Sequence, residues 1–186
     1  MTNAAWVVVG TNGNVYAAPV GTAAPTSSTS TLNAAFLRLG FVSEDGATFT
    51  EGKEVTDINA WQSFYPIRKL VTARTVEVSF ALREFTKRNI QFALGGTVSG
   101  TAPGPYSYVP RTADQGLDTS ALVLDWQDGT SRHYRLYIPQ GTVTEAVEST
   151  ITRTSSQDLP VTFSAIDPGG GTAIYTLFTD DPSFSS

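Results

Sequence analysis

The side chains best suited to catalysis lie around the only histidine of the sequence, His133, which follows Asp128 and Ser131 closely. A serine–histidine–aspartate triad needs side chains that converge from separate elements. Here all of them lie in or beside one tight hairpin, where they cannot adopt that geometry. We therefore interpret His133 as an ordinary strand residue, and we expect no enzymatic activity.

Phosphate, metal and thiol chemistry is equally poorly supported. Neither Gly95-Gly96 nor Gly169–Gly171 precedes the Lys-Ser/Thr pair of a phosphate loop, so we interpret them as a helix stop and a turn. The acidic pairs Glu44-Asp45 and Asp180-Asp181 lack the alternating oxygen ligands of a calcium loop, so we interpret them as solvated turn charges. The chain has no cysteine, which removes thiol nucleophiles and thiolate sites. The sequence predicts neither a cofactor nor a bound metal.

Composition points to a protein that uses its surface for assembly. A net charge of -5 argues against tight binding of nucleic acid, although DNA could still pass such a surface. Charged residues make up only 16%, and this leaves much neutral surface for a stable partner. No apolar run approaches the roughly 20 residues that cross a bilayer. We expect a single domain over residues 1–186 that is not bound to a membrane.

The central stretch, residues 54–96, predicts strands followed by a helix. The run Val55–Tyr65 is rich in aromatic and β-branched residues and stops at Pro66, while residues 67–74 fit a strand, a turn or a loop. Residues 75–82 alternate strictly between apolar and small polar side chains, which is typical of a half-buried strand. Thr86 then predicts a helix cap, with Ile90 and Leu94 on one face before the glycine stop.

The N-terminal third contains short apolar runs between polar segments. Asn12-Gly13 separates two β-prone runs, so residues 1–14 are either part of a hairpin or a flexible arm. Residues 21–33 and 97–115 predict long loops, which tend to be functional or ordered by a partner. Glu44-Asp45-Gly46 predicts a turn into the strand that follows it.

The C-terminal half predicts further strands. Residues 121–126 and 132–138 alternate around an Asp-Gly turn and form the clearest hairpin in the sequence. A threonine-rich polar strand is expected over residues 142–154, and further strands over residues 159–165 and 174–179. With about nine or ten strands and one helix, the sequence predicts a mainly β fold. Unpaired edges of such a sheet recruit other strands, and a head-to-tail contact of this kind can close a ring.

Particular stretches of the sequence also carry a family resemblance. These are VYAAPVGTAAPT, the run from Leu39 to Phe85 that begins LGFVSEDGATFTEGKEVTDINAWQSFYP, and the closing TRTSSQDLPVTFSAI and YTLFTDDP. Together they resemble the major tail tube proteins of long flexible-tailed, siphovirus-type bacteriophages, especially those that infect actinobacteria. The resemblance covers most of residues 16–182, and its central run is the most specific part.

The resemblance implies a β-sandwich or barrel-like fold with one short flanking helix. It further implies a homo-oligomer in which hexameric rings stack into a tube, whose inner sheets form a continuous barrel around passing double-stranded DNA. The implied partners are the tape measure protein and the tail terminator and baseplate proteins. The implied location is the virion, after synthesis in the host cytoplasm. The family has no catalytic residues to carry over.

Within that picture two groups of residues acquire structural roles. Small polar and acidic side chains would face the lumen, because a weakly negative wall repels the DNA backbone. The lumen candidates are Thr75, Glu77, Ser79, Thr144, Glu145, Glu148 and Thr150. Contacts between subunits would use the segment 55–73, as a hairpin or a long loop, with its aromatic and basic side chains. The contact candidates are Trp61, Phe64, Tyr65, Arg68 and Arg74.

Other functions remain open at this point. A β-sandwich binding module, such as a virion decoration or glycan-binding domain, would use exposed Trp61, Trp126 or the tyrosines Tyr106 and Tyr108. A tail terminator or baseplate ring protein would form a solitary ring without polymerising.

Overall fold

The computed structural model describes residues 6–112, 116–145, 147–154 and 156–185, and within these ranges the protein is mainly β with one short α-helix. This confirms the predicted fold class. The elements are β1 (Asn12–Pro19), β2 (Leu37–Arg38), β3 (Val42–Ile58), β4 (Arg68–Leu82), α1 (Lys87–Leu94), β5 (Thr97–Gly100), β6 (Tyr106–Val109), β7 (Ser120–Asp128), β8 (Arg132–Val143), β9 (Leu159–Ala165), β10 (Thr176–Thr179) and a 3₁₀ helix over Pro182–Ser185.

The main sheet is antiparallel and runs in the order β2-β1-β7-β8-β9-β4-β3. Strand β8 has three partners: it pairs with β7 along most of its length, with β10 through Tyr134–Tyr137, and with β9 at Gly141–Val143. Gly141 lies on β8 where its pairing changes from β7 to β9. An added Cβ there would lie 2.5 Å from the Phe163 ring, so this position requires glycine.

A continuous core joins strands from both ends of this sheet. Val15 on β1, Phe80 on β4, Leu136 on β8 and Phe163 on β9 belong to one buried cluster. Residues that are distant in the sheet order therefore meet, which is the packing of a sandwich-like fold. A smaller cluster around Tyr137 lies on another face, where Phe36 covers β1, β7 and β8.

Strand β4 and helix α1 confirm the switch of period read from the central stretch. Val76, Val78, Phe80 and Leu82 are buried at 0–6% exposure, while the residues between them are more open. Thr86 caps the helix by accepting a hydrogen bond from the Asn89 backbone N–H, and Gly95 ends it with a φ of 69°.

The buried face of α1 differs from the predicted one. Asn89 and Ala93 are buried, whereas Leu94 is exposed and Ile90 is half-buried. The Asn89 side-chain amide donates to the carbonyls of Leu39 and Glu84, at 2.8 Å each. These bonds satisfy a buried polar group and select the face, which apolar spacing alone could not reveal.

The predicted hairpin of β7 and β8 is confirmed, with Gln127 opposite His133 and Asp128 opposite Arg132. The predicted hairpin at Asn12-Gly13 is wrong, because both residues lie inside β1 and pair with β7. Residues 7–11 form no strand, and residues 1–5 lie outside the described ranges.

The turn predicted at Glu44-Asp45-Gly46 is also wrong. The strand β3 continues through these residues, and the register with β4 jumps from Val42 to Ala47, so they form a bulge. The β-rich run over residues 55–65 is strand only as far as Ile58, where β3 ends and a turn follows, so that residues 55–73 form a hairpin of β3 and β4. Residues 68–74, which the sequence left open, belong to β4.

Two further segments differ from the sequence-based expectation. Strands β5 and β6 form a small separate hairpin within residues 97–115, for which a long loop is predicted. The polar strand over residues 142–154 is wrong beyond Val143, where β8 ends, and the described residues after it have no strand until Leu159. The expected strands near the C-terminus are present as β9 and β10.

Candidate assembly surfaces

An exposed two-stranded ribbon is formed by Glu51–Ile58 of β3 and Arg68–Val76 of β4. The pairing of β9 with β4 begins only at Glu77, so among the described residues no third strand supports the ribbon. At its base, Tyr175 packs edge-on against Phe49 at a ring distance of 5.2 Å and donates to the Glu51 carboxylate. Beyond Tyr175, both faces of the ribbon are open.

The turn at the end of the ribbon, residues 59–67, carries the predicted aromatic contact residues. Trp61, Phe64 and Tyr65 are 100%, 106% and 80% exposed. The Ile67 N–H donates to the Ile58 carbonyl, and the Ser63 hydroxyl donates to the Tyr65 carbonyl. The structure thus brings the aromatic candidates together on an ordered turn that leaves all of them uncovered.

Apolar side chains continue from the turn along the ribbon. Each is 40–63% exposed, and the register distributes them over both faces of the ribbon. Exposed apolar side chains grouped in this way are typical of interaction sites. The residues are Val55, Ile58, Ile67, Leu70 and Val71.

The basic contact candidates lie on the same ribbon. Arg68 is opposite Ile58, and Arg74 is opposite Lys53. Both are exposed, and Arg74 comes within 4.0 Å of the Glu51 carboxylate. Exposed ion pairs of this kind contribute little to stability, so these charges are available for contacts elsewhere.

A second surface is a hydroxyl-rich face that crosses four adjacent strands. Residues directly opposite each other in an antiparallel sheet share a face. The resulting row across β3, β4, β9 and β8 is Thr50, Glu77, Ser164 and Thr142. The next row is Thr48, Ser79, Thr162 and Thr144, in which the Thr144 N–H donates to the Thr162 carbonyl. We call these eight residues the polar face.

Hydrogen bonds bring several of the lumen candidates together on the polar face. The Ser79 and Thr162 hydroxyls are 3.1 Å apart, and Thr162 donates to the Glu145 carboxylate at 2.7 Å. The face is open at Thr48 and Thr50 and is covered at its other side, where Thr142 and Thr162 are buried.

The remaining lumen candidates are less closely placed. Thr75 is opposite Gly52, one row beyond the polar face, on the ribbon. Glu148 and Thr150 are exposed and lie on no strand. The structure therefore groups Glu77, Ser79, Thr144 and Glu145 and leaves Glu148 and Thr150 apart.

His133 contacts an aspartate of the C-terminal segment. The Asp180 carboxylate accepts a bond from the His133 backbone N–H and lies 2.8 Å from the ring Nδ1. Burial opposes ionisation of Asp180, but its bonds to His133 outweigh burial and lower its pKa. Because Asp128 instead lies 3.4 Å from Arg132, the triad geometry is absent.

Next to it, Asp181 fastens the C-terminal segment to β8. Its carboxylate accepts a hydrogen bond from the buried Tyr134 hydroxyl and lies 3.5 Å from Arg132. Chiefly because of the Tyr134 bond, the pKa of Asp181 falls to about 2. Sequence reasoning treated Asp180 and Asp181 as solvated turn charges and did not find this role.

A buried ion pair was also missed. Arg135, 6% exposed, binds Asp125 on β7 at 2.6 Å and donates to the carbonyls of Ser27 and Ser30. It thereby fixes the loop 21–33 against the sheet. A paired Arg and Asp at opposed positions of an otherwise apolar hairpin was the available signal.

Within the described ranges, no cluster of three or more His, Asp or Glu side chains could hold a metal ion. Among the helices of the described residues, none is long and apolar enough to span a bilayer.

Comparison with known proteins identifies the family of this chain. The sequence matches the phage tail tube protein family over residues 1–186, and no individual curated protein matches it. Such a protein is a structural component of the virion, not an enzyme, and assembles into a tail tube with other tail proteins. With a match along its whole length, this chain belongs to the phage tail tube protein family.

Proposed function

We propose that this protein is the major tail tube subunit of a long flexible-tailed, siphovirus-type phage. Copies of it form hexameric rings, and the rings stack into the hollow tail through which double-stranded DNA reaches the host. The observation that carries this proposal is the unsupported ribbon of β3 and β4 with its uncovered aromatic turn. Family membership supports the same conclusion.

The ribbon is suited to contacts between copies because of what it exposes. Complete burial of a large apolar side chain contributes roughly 1.5–3 kcal/mol, and Trp61, Phe64 and Tyr65 offer nearly all of their surface. Arg68 and Arg74 lie along the same ribbon, where they would pair with carboxylates of a neighbouring copy. These five residues form the proposed contact between subunits.

The open part of the polar face, which excludes the buried Thr142 and Thr162, is suited to the wall of the lumen. Its residues are Thr, Ser and Glu, so it offers DNA no cation to bind. Thr75 and Glu145 extend the same chemistry at its borders. Glu77 and Glu145 make the wall weakly negative, and this lets the duplex pass without being trapped. Glu148 and Thr150 would join the wall after assembly.

The proposed role also names partners. A tape measure protein would occupy the lumen before DNA does, and terminator and baseplate proteins would bind the two ends of the tube. The subunit would be made in the host cytoplasm and end in the virion. DNA contact would be non-specific.

Electron microscopy of the purified protein tests the proposal, because it separates tubes from solitary rings and from monomers. The double variant Trp61→Ala with Tyr65→Ala removes roughly 3–6 kcal/mol of apolar burial from each contact. We expect the concentration at which tubes appear to rise at least about 100-fold, since 1.4 kcal/mol corresponds to tenfold.

Tyr106→Ala is the matched control, because Tyr106 is an aromatic residue on β6 with 59% exposure and lies outside the ribbon. Tubes are expected from that variant at the wild-type concentration. Normal tubes from the double variant would contradict the assignment of the ribbon, and a wild-type protein that stays monomeric at high concentration would contradict the tube itself.

A further inference from the structure

The segment Val147–Thr154 has the alternation of a strand and yet forms none. Its even-numbered residues are exposed, small polar or acidic: Glu148, Thr150, Thr152 and Thr154. Its odd-numbered residues are the apolar Val147 and Ile151, which alternate with Ser149 and Arg153. This is the period of a strand with one wholly polar face and one face that carries its apolar side chains. The polar half has the same composition as the polar face.

The position of the segment connects it to that face. The bond from the Thr144 N–H to the Thr162 carbonyl continues the β8–β9 ladder one residue beyond Val143. The segment therefore leaves the sheet where the polar face ends at β8. Val147 still packs against the core, whereas Ile151 is 79% exposed. One apolar side chain is thus covered and the other is not.

The opposite end of the polar face is a strand edge. Strand β3 carries Thr48 and Thr50 and pairs with β4 through Ala47–Ile58. Among the described residues, no other strand pairs with β3, so its second edge is free. An eight-residue strand spans about 26 Å, which is shorter than this edge. Phe49, on the other face of β3, is 41% exposed.

We propose that residues 147–154 become a β-strand by pairing with the free edge of β3 in a second copy of this protein. The inference rests on the proposed tube function and identifies which parts of two neighbouring subunits would join their sheets. Because the segment and the free edge lie at opposite ends of the polar face, the contact is head-to-tail and repeats from copy to copy. The even-numbered side chains would then extend the polar face across the junction.

The other face of the new strand explains why a second copy fits better than another ligand. Ile151 would lie on the side of β3 that carries Phe49, and each would cover apolar surface that the isolated subunit leaves exposed. The edge of β3 would gain the backbone partners that it lacks.

Hydrogen exchange on wild-type tubes tests the pairing. The reference is the unassembled Trp61→Ala, Tyr65→Ala subunit, which keeps the segment intact. We expect amide exchange within residues 147–154 to slow at least about tenfold in tubes, because ladder bonds protect amides. Equal exchange in tubes and subunits would overturn the inference while leaving the tube proposal standing. Absence of wild-type tubes would instead contradict the proposed function.

Disulfide trapping identifies the partner strand, since the chain has no cysteine of its own. Ile151→Cys is combined in turn with Phe49→Cys, Glu51→Cys or Lys53→Cys, which share one face of β3. At least one pair should give a ladder of covalent oligomers when tubes are oxidised. The control, Ile151→Cys with Thr50→Cys, places the thiols on opposite faces and should give none. Protection without a ladder from any of the three pairs would show that the segment pairs with another surface, and would overturn the assignment to β3.

Discussion

The two longest hairpins of this protein are antiparallel and differ in what surrounds them. In the β7–β8 hairpin, Ala121, Leu122 and Val123 are at most 1% exposed, because the core lies on one side and the loop 21–33 with Phe36 on the other. In the β3–β4 ribbon, by contrast, apolar side chains reach the solvent on an unsupported pair of strands. The first hairpin builds the subunit, and the second is available to its neighbours.

The reason for the difference lies in the covering segments. The buried hairpin keeps its cover through charged anchors, namely Arg135 toward the loop 21–33 and Asp181 toward the C-terminus. At the ribbon, Tyr175 covers only the base. In these two hairpins, the exposure of the apolar side chains therefore depends on which segments fold over the strands.

Replacement of one phenylalanine in each region should give the largest difference in unfolding free energy between the two regions. Phe163 is fully buried on β9 next to the covered hairpin, so Phe163→Ala should cost roughly 3–5 kcal/mol of unfolding free energy. Phe64 is on the exposed turn, so Phe64→Ala should change stability by less than about 0.5 kcal/mol. Urea unfolding of dilute, unassembled protein measures both values. Similar losses from the two variants would show that the turn packs against the subunit.

Acid should loosen the cover of the buried hairpin where Asp181 anchors it. The Asp181 pKa is about 2 in the folded protein and 3.8 ordinarily. Its ionised form therefore stabilises the fold above pH 4, and this contribution is lost as the pH falls toward 2. We expect Asp181→Asn to be less stable than wild type at pH 6 and to approach it near pH 2. Urea midpoints across this range measure the difference.

Tyr134→Phe provides a matched variant for that titration, because it removes the hydroxyl that donates to Asp181. The difference in stability between Tyr134→Phe and wild type should narrow as the pH falls over the same interval. A constant difference for both variants down to pH 2 would exclude Asp181 as the titrating anchor.

The smallest effect on stability, with a clear effect on function, is expected from Glu77→Lys on the polar face. Glu77 is half-buried with small neighbours, so the unfolding free energy should change by no more than about 0.5 kcal/mol. Tubes of this variant should retain short duplex DNA in low salt and release it as salt rises. Co-sedimentation of labelled DNA measures retention. The control is Glu44→Lys, which makes the same change of charge in the β3 bulge, outside the polar face. Tubes of the control should retain no DNA. If both variants retained DNA equally, the polar face would not line the lumen.

The sequence predicted those elements whose signal is local. Alternation gave β4, β9 and the β7–β8 hairpin, and the Thr86 cap and Gly95 bounded the helix. The aromatic contact candidates were named from the stretch 55–73 under the family resemblance, and the structure leaves their side chains exposed. Their role between subunits remains a prediction, as does the role of the lumen candidates.

The remaining features depend on distant parts of the chain. Asp-Gly at residues 45–46 is a turn signal, but β4 continues alongside and converts it into a bulge. Asn89 is buried because of carbonyls that folding brings to it, and Asp181 is anchored by a tyrosine distant in sequence. The strand expected over residues 142–154 ends at Val143, because the described residues that follow have no neighbouring strand to pair with.

The unsupported ribbon also bears on the mechanics of a long assembly. A pair of strands bends more readily than the broad sheet to which it is attached, because no third strand from the described residues braces Arg68–Val76. Contacts made at its end tolerate changes in the angle between neighbouring bodies. A filament joined in this way can curve by deforming its ribbons, while each compact body keeps its shape and the bore stays open around the bend.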